Sequence, residues 1–149
     1  MNDQFADYGK FRIIRRHPEL GHGEILALHP STIKIDGMVT FDLTADVTLE
    51  DNVEISFGAV ILTHRHHWRH STGPRALIQR VTAHPLRICE DVFIGINAII
   101  VGVSRIGKGA VIGAGAKIKC DVGDYEIWEG NPAFCIGVRT DSENGDMPW

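Results

Sequence analysis

Between Thr63 and Arg87 lie five histidines (His64, His66, His67, His70, His84) and five arginines (Arg65, Arg69, Arg75, Arg80, Arg87), with no acidic residue. A neutral imidazole has an unperturbed pKa of about 6.5, so near neutral pH it can take a proton from a hydroxyl and return it. Imidazoles can also hold a metal ion, yet the spacing H-x-H-H-x-x-H is not a specific ligand set. A histidine in a polar segment is most often simply part-exposed. No Ser or Cys sits in a recognisable nucleophile context. The three cysteines, Cys89, Cys120 and Cys135, are scattered and form no C-x-x-C pair, which reads as reduced thiols.

What positions these side chains is a repeat. Ile88, Ile94, Ile100, Ile106, Ile112 and Ile118 are spaced by six. Four residues after each comes a small or apolar residue: Val92, Ala98, Ser104, Ala110, Ala116 and Val122. That period fits neither an α-helix nor a meander. It marks a parallel β-helix, an all-β solenoid whose triangular coil takes about 18 residues. Leu43, Leu49, Ile55 and Ile61 continue the pattern upstream, and Ile25, Ile35 and Phe41 follow it more faintly. The expectation is about four coils, roughly 20 Å tall at ~4.8 Å per coil. So short a prism depends on end caps and on neighbouring subunits.

The step from Ile61 to Ile88 is 27 residues, which is not a multiple of six. An insertion at about 63–87 therefore leaves the prism, and it is the histidine-rich segment. A long loop on a rigid scaffold is more often functional than decorative. The division expected is a capping segment at 1–24, the β-helix at 25–139 and a flexible tail at 140–149.

At 149 residues the chain is one domain. The net charge of −4 argues against general nucleic-acid affinity. No stretch approaches the roughly 18 apolar residues of a membrane span. The first residues, MNDQFADYGK, lack the apolar core of a signal peptide, so a cytoplasmic location is expected.

The segment IGINAIIVGVSRIGKGAVIGAGAKIKCDV, followed by EGNPAF, resembles the hexapeptide-repeat acyltransferases. The likeness is to the branch of maltose, galactoside, streptogramin and capsule-sugar O-acetyltransferases. It covers about 25–139 and is carried by the repeat, by Thr63-His64 before the insertion, and by G-N-P-A at Gly130 to Ala133. The resemblance implies a left-handed β-helix, a homotrimer with its site between prisms, and acetyl-CoA as acyl donor with no metal. It implies direct transfer to a sugar or similar hydroxyl acceptor, such as a surface-polysaccharide precursor. His64 matches the family's general base, and His66 is the runner-up.

The resemblance also assigns binding residues. Ile96 and Ala114 match positions that meet the pantetheine arm of CoA. Lys117, Lys119 and Arg139 match or replace basic residues that meet its phosphates. Asp36 and Asp42 lie in the coil before the histidine, where the acceptor hydroxyl is held. The basic insertion fits an anionic group nearby, either CoA phosphate or a charged sugar. Two other readings stay open. One is a carbonic-anhydrase-like metal enzyme on the same fold, using His64, His66, His67 and His70. The other is a non-catalytic assembly module.

Overall fold

A computed structural model of the chain describes residues 7–8, 12–14, 23–67 and 81–140. It is a three-faced prism of parallel strands. The first coil is β1 (Asp7–Tyr8), β2 (Arg12–Ile14) and β3 (Ile25–Ala27). The second is β4 (Lys34–Ile35), β5 (Thr40–Asp42) and β6 (Val47–Leu49). The third begins with β7 (Glu54–Ile55) and β8 (Val60–Leu62) and leaves the prism as a hairpin, β9 (His64–His66) and β10 (Val81–Ala83). It closes with β11 (Leu86–Ile88). The fourth coil is β12 (Phe93–Ile94), β13 (Ile99–Val101) and β14 (Arg105–Ile106). The fifth is β15 (Val111–Ile112), β16 (Lys117–Ile118) and Val122, which bridges to Ile106.

The six isoleucines rotate over the faces. Ile94 and Ile112 stack on the first face, Ile100 and Ile118 on the second, and Ile88 and Ile106 on the third. Each is at most 1% exposed. Burying one such side chain contributes about 1.5–3 kcal/mol relative to leaving it in water. The small inward positions hold Val92, Ala98, Ala110, Ala116 and Val122, all buried. Ser104 does not join them. It is exposed, and Val103 turns inward in its place at 2% exposure.

The ladder runs further toward the N-terminus than the repeat alone indicates. β1 pairs in parallel with β4, and β2 with β5, setting Ile13 opposite Phe41. So part of the expected capping segment forms rungs of the prism. At the other end β17 (Glu126–Gly130) adds to the first face, and β18 (Ala133–Val138) folds back antiparallel on it. Asn131 and Pro132, joined by a cis peptide bond, turn between them. The expected tail falls, from 141 onward, outside the described residues.

Two of the corners are regular. Between the first and second faces the left-handed positions are Met38, Gly58, Asn97 and Gly115. Between the third and first faces they are Asn52, Asp91, Gly109 and Tyr125. Asn and Asp tolerate that region because their short side chains bond locally.

The corner between the second and third faces is not regular. In the second coil the rung opposite Ile61 is Phe41, not Leu43, and the next rung is Leu49. The step is eight residues, so the corner is swollen. Leu43 is buried inside the swelling rather than heading a rung. One coil later the hairpin leaves at the same corner. The two breaks in the repeat are therefore stacked in space.

Candidate active site

Thr63 follows β8 and ties the two breaks together. Its hydroxyl donates to the Asp42 carbonyl at 2.8 Å and accepts from the Ala45 N–H at 2.8 Å. Its carbonyl accepts from the His84 N–H at 2.7 Å, which closes the base of the hairpin. Thr63 is fully buried. A hydroxyl there satisfies backbone groups that the swollen corner strips of regular partners.

His64 follows, with its side chain turned back over the swelling. Its Nδ1 lies 3.3 Å from Asp42 Oδ1 and 3.3 Å from Thr44 Oγ1. The Thr44 hydroxyl donates to Asp42 Oδ1 at 3.1 Å. A carboxylate can only accept, and Thr44 has spent its hydrogen on that carboxylate. Both oxygens therefore require a hydrogen on His64 Nδ1. In the neutral ring the lone pair then sits on Nε2. This is the tautomer a general base needs, fixed by a partner behind the ring. Asp42 is 0% exposed and His64 only 7%.

His64 Nε2 is 3.2 Å from His66 Nε2, and the two rings meet edge to face with centroids 4.9 Å apart. Spacing of two along a strand puts both on one side of β9. Arg65 points the other way and clamps the hairpin to the next coils. Its Nε donates to the Gly102 carbonyl at 3.1 Å, and Nη2 donates to the carbonyls of Val101, at 3.4 Å, and Lys119. Gly102 suits this place: its φ is +55°, and a Cβ would lie 2.3 Å from Arg65 Cγ.

Beside the imidazoles, the second face opens as a groove of about 520 Å³. Val60, Leu62, Ile99 and Val101 make an apolar floor, and Lys117 and Lys119 line it beyond the histidines. An apolar trough with a cationic end suits a ligand with a thin neutral arm and an anionic head.

The other predicted residues are spread more widely. His64, His66, Lys117 and Lys119 come together in this groove. Asp42 does not line it. It is fully buried, and its Oδ1 lies 3.3 Å from His64 Nδ1. Asp36 is half-buried at the corner between the first and second faces, its N–H donating to the Ile55 carbonyl. Ile96 and Ala114 stack on that same corner, both exposed, with the Gly115 N–H donating to the Ile96 carbonyl at 2.8 Å. Arg139 lies by a separate hollow on the first face with Asn52, Asp91 and Tyr125. There its Nη1 donates to the Gly109 carbonyl at 2.8 Å. Within one chain Ile96, Ala114, Asp36 and Arg139 are not part of the histidine groove.

His67 bonds Thr82 across the hairpin, and His70 lies outside the described residues. Among the described residues no group of three or more His, Cys, Asp or Glu could hold a metal ion. Thr44 and Arg65 were not among the predicted site residues. Thr44 had no local signal, because the eight-residue step around it shows only in the strand pairing. Arg65 had none beyond lying between two histidines.

The bacterial transferase hexapeptide (six repeats) family model matches residues 85–120. The 2,3,4,5-tetrahydropyridine-2,6-dicarboxylate N-acetyltransferase of Staphylococcus aureus (strain bovine RF122 / ET3-1) is 35% identical over 89 residues. That stretch is 60% of this chain and 32% of the relative, so the chain matches about a third of that relative's length. A hexapeptide-repeat containing acetyltransferase from Vibrio cholerae superposes with a TM-score of 0.63 at 23% identity, over 94% of this chain and 77% of that one. It has also been solved complexed with acetyl coenzyme A. A maltose O-acetyltransferase from Clostridium difficile 630 gives a TM-score of 0.61 at 20% identity, over 93% and 72% of the two chains. By its matched repeat and its architecture, the chain is a hexapeptide-repeat protein built as the left-handed parallel β-helix of the hexapeptide-repeat acetyltransferases.

Proposed function

We propose that the chain is an acetyl-CoA-dependent O-acetyltransferase acting on a sugar or similar hydroxyl acceptor. One observation carries the reading: a buried carboxylate fixes the tautomer of His64, and that ring borders a groove with an apolar floor and two lysines. The relatives named as acetyltransferases, and the neighbour complexed with acetyl coenzyme A, support the donor.

The difficulty in the reaction is the acceptor hydroxyl, a poor nucleophile until its proton leaves. That proton ends on the Asp42–His64 pair as the oxygen attacks the thioester carbon. The C–S bond then breaks, the acetyl group stays on the acceptor oxygen, and the proton returns to the CoA thiolate. Asp42 stabilises the imidazolium in between. Backbone N–H groups hold the tetrahedral oxyanion. No acyl-enzyme is needed. Lys117 and Lys119 meet the phosphates of CoA.

The groove is open on one side. In a homotrimer a neighbouring prism closes it, and the edges bearing Ile96, Ala114 and Arg139 become its opposite wall. Asp36, on the same corner as Ile96, would then meet the acceptor. We assign the enzyme to the cytoplasm, alongside its acyl donor. No helix among the described residues is long and apolar enough to cross a membrane.

The test is CoA release, read by thiol detection, over a panel of nucleotide sugars, oligosaccharides and amino acceptors. His64→Ala is expected to lose about 10²–10⁴-fold in turnover. Unchanged turnover in that variant sinks the assignment. Turnover with amines alone replaces O- by N-acetylation, and stoichiometric zinc in the purified protein favours the carbonic-anhydrase-like reading. A monomeric mass at micromolar concentration refutes the intersubunit site.

A further inference from the structure

We propose that His66 is the groove-side half of a two-imidazole proton relay, taking the acceptor's proton and passing it inward to His64. The inference rests on the acetyltransferase reading above and adds a second reacting group to it.

His64 carries its hydrogen on Nδ1, because Asp42 Oδ1 and Thr44 Oγ1 can only accept there. Its Nε2 is therefore bare in the neutral ring. That bare nitrogen is 3.2 Å from His66 Nε2, a hydrogen-bond distance. Two bare nitrogens would repel at that separation, so the hydrogen between them belongs to His66. In the resting pair His66 is the Nε2–H tautomer, and its lone pair sits on Nδ1.

This changes which nitrogen an acceptor meets. The lone pair of His64 is covered by the His66 hydrogen, and the ring bearing it is only 7% exposed. His66 is half-buried and lines the groove. A hydroxyl must either push His66 aside or give its proton to His66. The hairpin opposes displacement. His66 is registered opposite Val81 in the antiparallel ladder, and the preceding Arg65 is tied to three carbonyls of the prism.

The relay balances. The acceptor O–H breaks, and its proton goes to His66 Nδ1 while the oxygen bonds the thioester carbon. The Nε2 hydrogen of His66 moves to His64 Nε2. His66 is neutral again, and the positive charge rests on His64 against the Asp42 carboxylate. Arg65, Lys117 and Lys119 also line the groove, so the charge is better held on the inner ring, nearest the carboxylate. When the C–S bond breaks, the same two transfers run backwards and protonate the CoA thiolate.

The experiment compares wild type, His64→Ala, His66→Ala and His66→Gln by CoA release at saturating acetyl-CoA, with and without added imidazole. Acetyl-CoA binding and melting temperature are measured alongside. His66→Ala is expected to lower kcat by about 10²-fold or more, with acetyl-CoA affinity unchanged and partial recovery in imidazole. His66→Gln keeps an N–H toward His64 yet cannot carry a proton, so it should be as slow and not recover. If both His66 variants stay within about threefold of wild type while His64→Ala is inactive, His64 acts alone and the relay is wrong. A faster His66→Ala means the ring is displaced, which also overturns it. If wild type neither binds acetyl-CoA nor turns over, the acetyltransferase reading itself has failed. The hydrogen count is tested separately by ¹⁵N NMR of the imidazoles in the resting protein. A His66 bearing its hydrogen on Nδ1 removes the basis of the relay.

Discussion

Replacing Asp42 by Asn tests the site with little change of shape. In the proposed mechanism the carboxylate contributes two things: an acceptor for His64 Nδ1–H and a negative charge beside the imidazolium that forms in the reaction. An amide oxygen can keep the first and cannot supply the second. The lost attraction follows from the 3.3 Å separation. At an effective dielectric of about 20, two unit charges at that distance attract by ~5 kcal/mol. The retained hydrogen bond offsets about 1 kcal/mol. Roughly 4 kcal/mol then remains, and at about 1.4 kcal/mol per decade kcat should fall by nearly 10³-fold. Asp42 is fully buried and does not line the groove, so the KM for acetyl-CoA should move less than about threefold. The assay is CoA release near pH 8, where an ordinary imidazole is neutral and catalysis is not limited by protonation of the base. Circular dichroism and melting temperature check that the prism is intact. A variant within threefold of wild type in kcat, or one that loses acetyl-CoA affinity instead, would refute the assignment of Asp42 as the orienting partner.

Two further outcomes follow from features outside the reacting groups. Cys89 is 5% exposed, and burial pushes its thiol up from the ordinary cysteine range, whereas Cys120 and Cys135 are exposed. In the native protein near pH 8 a thiol reagent should leave Cys89 unmodified and reach it only after denaturation; rapid labelling of Cys89, mapped by mass spectrometry, would contradict its burial. Gly102→Ala puts a methyl group against the Arg65 side chain at a left-handed backbone position, at a cost of about 1–2 kcal/mol. Melting should fall by roughly 3–8 °C for a chain of this size, and proteolysis should quicken at the hairpin strands His64–His66 and Val81–Ala83; a melting point and cleavage rate equal to wild type would show that the hairpin is not clamped there.

How far the sequence could be read depended on which interaction decided each position. A rung of the prism is set by one inward side chain and by pairing with the rung one coil away, and both repeat every six residues. The isoleucines from Ile88 to Ile118 therefore announced their places without ambiguity. Phe41 and Leu43 show where that logic stops. Both are apolar, both are buried, and spacing from Leu49 favours Leu43. Only the pairing of Phe41 with Ile61 decides between them, and such pairing is a long-range fact that no local pattern carries. The same pairing decides where Asp42 lies, a residue that the family likeness alone had placed beside the acceptor. With Phe41 as the rung, Asp42 enters the swollen corner, beneath the place where the chain leaves the prism one coil later. Arg139, Ile96 and Ala114 mark the opposite limit. Their match to family positions could be made by sequence alone, but within one chain they lie outside the histidine groove, and the role proposed for them needs a second prism. The insertion beside His64 was legible because the repeat broke there by a whole loop. The swelling around Asp42 was hidden because it adds only two residues and leaves an apolar residue at the expected beat.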